Sequence, residues 1–74
     1  MIYLVKFGYN YKIPNFNVDY TTDELVLESN LSPERLKSSA KLQALIAFAM
    51  ELKTGNTVIA VSVEGVEALQ DRGL

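Results

Sequence analysis

The side chains that could do chemistry in this 74-residue sequence are carboxylates, hydroxyls, amines and phenols, because cysteine and histidine are both absent. Ser-His and Cys-His nucleophile pairs, zinc fingers, haem ligation and disulfide scaffolds are therefore excluded. Ser38 and Ser39 fall in a predicted helix with no histidine or obvious general base nearby, and the four glycines are too dispersed for a phosphate loop. The sequence predicts a protein that is not an enzyme and that uses no cofactor or metal.

Acidic residues concentrate in one stretch of the chain. Residues 19–34 contain no basic residue and five acidic ones: Asp19, Asp23, Glu24, Glu28 and Glu34. Residues 35–53 have the opposite balance, with four basic residues against Glu51. Neighbouring acids such as Asp23 and Glu24 could bind a hard cation, but their spacing matches no known metal-binding loop. We interpret the acidic residues as a solvated hairpin rim or, alternatively, as a contact surface for a basic partner.

Two tyrosines, Tyr9 and Tyr11, alternate with polar and basic residues between Lys6 and Lys12. Aromatic rings interleaved with bases can stack nucleobases, so a nucleic-acid-binding module that uses a loop at residues 6–12 is one alternative function. The net charge of −2 and the acidic pI of about 4.9 argue against it. The tyrosines fit equally a capped sheet edge or a secondary contact surface for a protein, shared with Asp19, Asp23, Glu24 and Glu28.

Strands are predicted wherever β-branched and aromatic residues cluster or alternate with polar ones. Residues 2–7 form the first strand, and residues 11–15, which contain a proline, form an edge or a loop. Residues 16–20 and 25–29 both alternate, and the polar break between them predicts a hairpin. Residues 57–63 are apolar on both faces, which is typical of a central strand.

One main helix is predicted from Pro33 to about Lys53. Ser32 is a favourable N-cap, proline fits the first helical position, and Gly55 can adopt the left-handed conformation that ends a helix. Residues 64–74 have apolar residues at helical spacing and predict a short C-terminal helix. The whole chain, 1–74, is therefore expected to be one small α+β domain. A mainly antiparallel sheet of three to four strands packs on the main helix, in the order β-β-β-α-β.

Apolar residues of the main helix fall into two stripes when they are placed at 100° per residue. The core stripe suits packing on the sheet and comprises Leu36, Ala40, Ile46, Ala47 and Met50. The second stripe lies roughly opposite and comprises Leu42, Leu45, Phe48, Ala49 and Leu52. A single sheet covers only one side of a helix. Either the C-terminal tail covers the second stripe, through Val66, Leu69 and Leu74, or the stripe is a protein interface.

Together these patterns favour a small protein-interaction module that pairs with a second copy of itself through the second stripe. The longest apolar run, residues 42–50, is too short to span a membrane, and no secretory signal is visible, so a cytoplasmic location is expected. A phage-like regulator or inhibitor of a host protein is the biological role we expect. An accessory subunit of a larger assembly is the other alternative.

Overall fold

A computed structural model describes residues 1–69 of the chain, apart from the side chain of Asp19. Three long strands and two helices follow one another: β1 (Ile2–Ile13), β2 (Phe16–Glu28), α1 (Pro33–Lys37), α2 (Ala40–Thr54) and β3 (Thr57–Leu69). The strands form one antiparallel sheet in the order β2-β1-β3, and both helices pack on the same face of it. The predicted α+β class, with an antiparallel sheet of three to four strands and one main helix, is confirmed.

The first two strands are longer than expected, and their hairpin turns at Pro14 and Asn15. Asn15 has a φ of 80°, a left-handed conformation that asparagine tolerates better than most residues. Two segments that were predicted to interrupt the strands therefore lie within them, so both predictions are wrong. Residues 11–13 belong to β1, and the polar break at residues 21–24 continues β2, where it pairs with Lys6–Tyr9. Alternating side chains let a polar stretch remain in a sheet as long as its backbone is paired.

The central strand is β1, whereas residues 57–63 were expected to be central. Their strand, β3, is an edge that pairs with β1 alone, and its register shifts twice. One shift lies beside Lys6 and Phe7, the other beside Asn10 and Tyr11. Bulges of this kind move side chains off the strict alternation, and Ile59 of β3 is left 52 % exposed.

The core lies between β1 and the two helices. Every second residue of β1 from Tyr3 to Tyr9 is buried there, and Val63 of β3 joins them. On the helix side, Ile46 of α2 is completely buried against this row. Leu36 of α1 and Leu42 and Met50 of α2 are buried beside it. Within residues 1–69 no helix packs on the other face of the sheet, which we call the helix-free face, and exposed Lys6 and Lys12 lie on it.

The predicted single helix from Pro33 to Lys53 is broken in two by a pair of serines. The hydroxyl of Ser32 accepts a hydrogen bond from the Arg35 backbone N–H (3.3 Å) and caps α1, as predicted. Ser39 is extended, and its hydroxyl accepts from the Leu42 N–H (3.1 Å), so it caps a second helix. The break changes the rotation of every residue after it. Leu36 and Leu42 would lie on different sides of one continuous helix, yet both are buried.

The C-terminal end of the helical region agrees with the prediction, whereas the predicted C-terminal helix does not form over residues 64–69. Gly55 ends α2 in the left-handed conformation, with a φ of 73°, as its sequence position predicts. The short helix expected over residues 64–74 is wrong for residues 64–69, which continue β3 and pair with Ile2–Lys6. Pairing with β1 satisfies the backbone groups of this segment that face β1. Residues 70–74 lie outside the described part of the chain.

On the helix-free face, the ring of Tyr20 lies over Gly8. A Cβ atom added to Gly8 would collide with the end of that ring, and Tyr20 itself is half exposed. Because Gly8 has no side chain, an aromatic side chain from the neighbouring strand can pack directly on its backbone. Its φ is not positive, so the constraint on position 8 is the ring and not the backbone.

We expect Gly8→Ala to lower the free energy of unfolding by about 1 kcal/mol, because the ring must leave its contact with the strand. In a Tyr20→Ala background the same change should cost nothing, since alanine restricts the unfolded chain more than glycine does. Urea unfolding of the wild type, the two single variants and the double variant measures this coupling. Additive effects would contradict the packing described here.

Candidate protein-interaction surface

Three large apolar side chains of α2 remain exposed. Leu45, Phe48 and Leu52 are 52 %, 61 % and 71 % exposed. They follow one another at spacings of three and four residues, so they lie along one side of the helix. We call them the exposed stripe. Single exposed hydrophobic residues are ordinary in a soluble protein, whereas a contiguous row of them is typical of a contact surface.

The structure divides the predicted second stripe. Leu45, Phe48 and Leu52 lie on the surface as expected, but Leu42 is only 5 % exposed and belongs to the core. Ala49 is half-buried and packs against the core. The prediction that Leu42 and Ala49 belong to an exposed surface is therefore wrong. The reason is the break at the two serines, which rotates α2 so that Leu42 faces the sheet.

A groove adjoins the exposed stripe between the edge of β2 and the start of α2. Its volume is about 350 Å³ and its lining is mostly leucine: Leu27, Leu31, Leu36, Leu42 and Leu45. Glu28 and Lys41 also line it. Leu45 belongs to both features, so the groove and the exposed stripe form one continuous apolar surface. Leu27 and Leu31 belong to this surface although neither was predicted to do so.

The loop from Ser29 to Leu31 is held in place by hydrogen bonds, one of which comes from a core side chain. The hydroxyl of Tyr3 donates a hydrogen bond to the Leu31 carbonyl oxygen at 2.9 Å. The Leu31 N–H donates to the Ser29 hydroxyl at 3.0 Å, and the Ser29 N–H donates to the Met1 carbonyl. These hydrogen bonds hold Leu31, which is 40 % exposed, at the wall of the groove.

Residues 64–69 do not cover the exposed stripe. They form the far end of β3, where Val66 pairs with Val5 and packs against the core, and Leu69 pairs with Ile2. The expectation that the tail covers Leu45 and Phe48 is therefore wrong for this segment. Leu74, the third residue expected in that cover, lies outside the described residues.

The carboxylate of Asp23 connects β2 to the end of α2. Its Oδ2 atom lies 2.5 Å from the Lys53 ammonium nitrogen, and its Oδ1 atom accepts a hydrogen bond from the Glu24 N–H at 2.8 Å. The hydrogen bond from Lys53, followed by that from the Glu24 N–H, lowers the pKa of Asp23 below its ordinary 3.8. The same contact raises the pKa of Lys53 above its ordinary 10.5.

The other acidic residues do not join Asp23 in one patch. Glu24 lies opposite Lys6 and Glu28 lies opposite Ile2. By strand alternation both glutamates are on the helix-free face, and both are exposed. The side chain of Asp19 lies outside the described part of the structure. The acidic stretch is thus shared between the two faces of β2.

The tyrosines and lysines of residues 6–12 lie on opposite faces of the sheet. This segment is part of β1, so the prediction of a loop there is wrong. Tyr9 is 4 % exposed and its ring stacks on that of Tyr11, with centroids 5.8 Å apart, on the helix-covered face. Lys6 and Lys12 project from the other face. A nucleobase-stacking surface needs the rings and the charges together, and this strand separates them.

Within residues 1–69, no three carboxylate side chains come together in a way that could hold a metal ion. No helix in the same part of the chain is long and apolar enough to cross a bilayer.

The Asp23–Lys53 pair makes a pH-dependent contribution to folding. Because the pKa of Asp23 is lowered by folding, its contribution is present above pH 3.8 and is lost as the pH falls through the lower, folded-state pKa. Because the pKa of Lys53 is raised, its contribution is complete below pH 10.5 and is lost at higher pH. We expect the wild type to be more stable than Asp23→Asn at pH 7, by a modest amount because Lys53 is exposed.

That difference should shrink as the solution is acidified below about pH 4, and urea unfolding across the pH range measures it. Glu67→Gln removes an exposed carboxylate elsewhere on the sheet and is the matched control. A stability difference between wild type and Asp23→Asn that stays constant down to pH 2 would contradict the assignment.

Comparison with known proteins identifies no relative: no protein-family model matches the chain, and neither does a curated protein or a solved structure.

Proposed function

We propose that this protein is a non-enzymatic protein-interaction module that self-associates through the exposed stripe. The observation that supports the proposal is the exposure of Leu45, Phe48 and Leu52 side by side on a helix whose other large apolar residues, Leu42, Ile46 and Met50, are buried in the core. Covering a large apolar side chain fully contributes about 1.5–3 kcal/mol. For a domain of this size, three partly uncovered side chains are a large fraction of the free energy of unfolding.

A second copy of the chain is the partner that we propose. A two-fold axis beside α2 brings the stripe of one copy against the identical stripe of another, and a closed dimer covers both at once. The proposed dimer acts in the cytoplasm. The role we assign to it is that of a small regulator or inhibitor of a host protein, as phage-like elements encode, because the chain carries none of the usual catalytic pairs.

The solution mass tests this proposal directly. We expect sedimentation equilibrium or light scattering to give twice 8.2 kDa at micromolar concentration. Leu45→Glu should return a folded monomer, because it places a charge in the middle of the contact without touching the core. Circular dichroism of the variant confirms that the monomer is folded.

Gln43→Glu is the matched control for this substitution. Residue 43 is exposed on the opposite side of α2, so the same added charge should leave the dimer intact. A wild-type monomer at every concentration up to the millimolar range would refute the proposal.

A further inference from the structure

We propose that the helix-free face of the sheet binds a basic amphipathic helix of another protein at one end of β1. The binding surface has an apolar centre and an acidic rim, and we call it the acid-rimmed patch. Its centre is formed by Ile2, Leu4 and Val26, and its rim by Glu24, Glu28 and Glu67. The exposed stripe lies on the other side of the sheet, so the patch is accessible whether or not two copies pair.

The apolar centre of the patch is open to solvent. Ile2 and Val26 are 44 % and 59 % exposed, and half-buried Leu4 lies between them. Leu4 pairs directly with Val26, and Ile2 lies two residues earlier on the same face of β1, so the three side chains adjoin. A solvated face of an antiparallel sheet is usually polar, whereas this one presents neighbouring aliphatic side chains.

Acidic side chains lie beside that centre on both outer strands. Glu24 and Glu28 of β2 lie two residues to either side of Val26, and Glu67 of β3 pairs with Leu4. Directly paired residues project from the same face of a sheet, so all three carboxylates surround the aliphatic side chains. All three glutamates are exposed.

The charge of the rim determines which partner fits. Lys6, on the same face, lies opposite Glu24, but among the described residues no ion pair joins them. Three glutamates against one lysine leave the patch negative, so the complementary partner carries basic residues around an apolar stripe. A second copy does not fit here, because two patches placed face to face would bring like charges together.

The width of the sheet fits a single helix. The two outer strands are about 10 Å apart, and a helix with its side chains is about 10–12 Å across. A helix laid along β1 places its apolar side on the centre of the patch, and basic residues on its two flanks reach the glutamates of β2 and of β3. From Ile2 to Lys6 the strand rises about 13 Å, which corresponds to two or three turns of the bound helix.

A synthetic helix tests the patch on the wild-type protein. The probe is a peptide of about 14 residues with leucine at helical spacing and lysine at the other positions. In a nuclear magnetic resonance titration we expect the signals of the apolar centre to shift, and the affinity to fall as salt is added. The same peptide with glutamate in place of lysine should leave these signals unchanged. Shifts confined to the exposed stripe, or no binding of the lysine peptide, would overturn the proposal.

Neutralising the rim provides a second measurement. The triple variant Glu24→Gln, Glu28→Gln, Glu67→Gln should raise the dissociation constant of the lysine peptide at least about fivefold at low salt. Glu34→Gln removes an exposed carboxylate from α1, on the other side of the sheet, and as the control should change it by less than about twofold. Equal affinities of the triple variant and the wild type would overturn the proposal.

The end of the chain is the competing occupant, and the free protein tests it. Nuclear Overhauser contacts between the methyl groups of Leu74 and Val26 would assign the cover of the patch to the chain itself and overturn the proposal. We expect none. A monomeric wild type would refute the self-association through the exposed stripe and leave the acid-rimmed patch as proposed.

Discussion

The structure depends on the burial of one row of side chains on β1 beneath α2. Val5, Phe7 and Ile46 are the largest side chains completely removed from water in residues 1–69, and the rest of the core surrounds them. The helical layer is only one helix wide for most of its length, so it covers one face of the sheet and presents one side to it. The apolar residues on the flank of α2 therefore have no cover within residues 1–69.

The sequence was informative where a residue acts through its own backbone. Ser32 and Gly55 delimit the helical region because a capping hydroxyl and a left-handed glycine work locally, whatever the rest of the fold does. The α+β class could be predicted for a similar reason, since the periods of strands and helices differ. The interruption at Ser38 and Ser39 could not. Serines occur inside helices as well as at their ends. Here the burial of both Leu36 and Leu42 in one core requires the helix to be interrupted between them.

The contact surface was predictable in part. Leu45, Phe48 and Leu52 follow from helical spacing alone, because they share a side of the helix wherever that helix begins. Leu42 and Ala49 depend on the rotation of α2 about its axis, which the interruption sets. The groove was not predictable at all. Its walls come from Leu27 and Leu31 on one side and Leu45 on the other, and sequence periodicity contains no information about contacts between distant segments.

The hydrogen bond from Glu24 to the Asp23 carboxylate has a consequence for the behaviour of the protein at high concentration. Met1 and Ser29 exchange hydrogen bonds, so by the alternation of an antiparallel ladder the N–H of Glu24 points away from β1, out of the sheet. The β2 edge would otherwise be a template for strands of other molecules. Because the Asp23 carboxylate accepts the Glu24 N–H midway along this edge, that donor is not free to pair with a strand of another molecule.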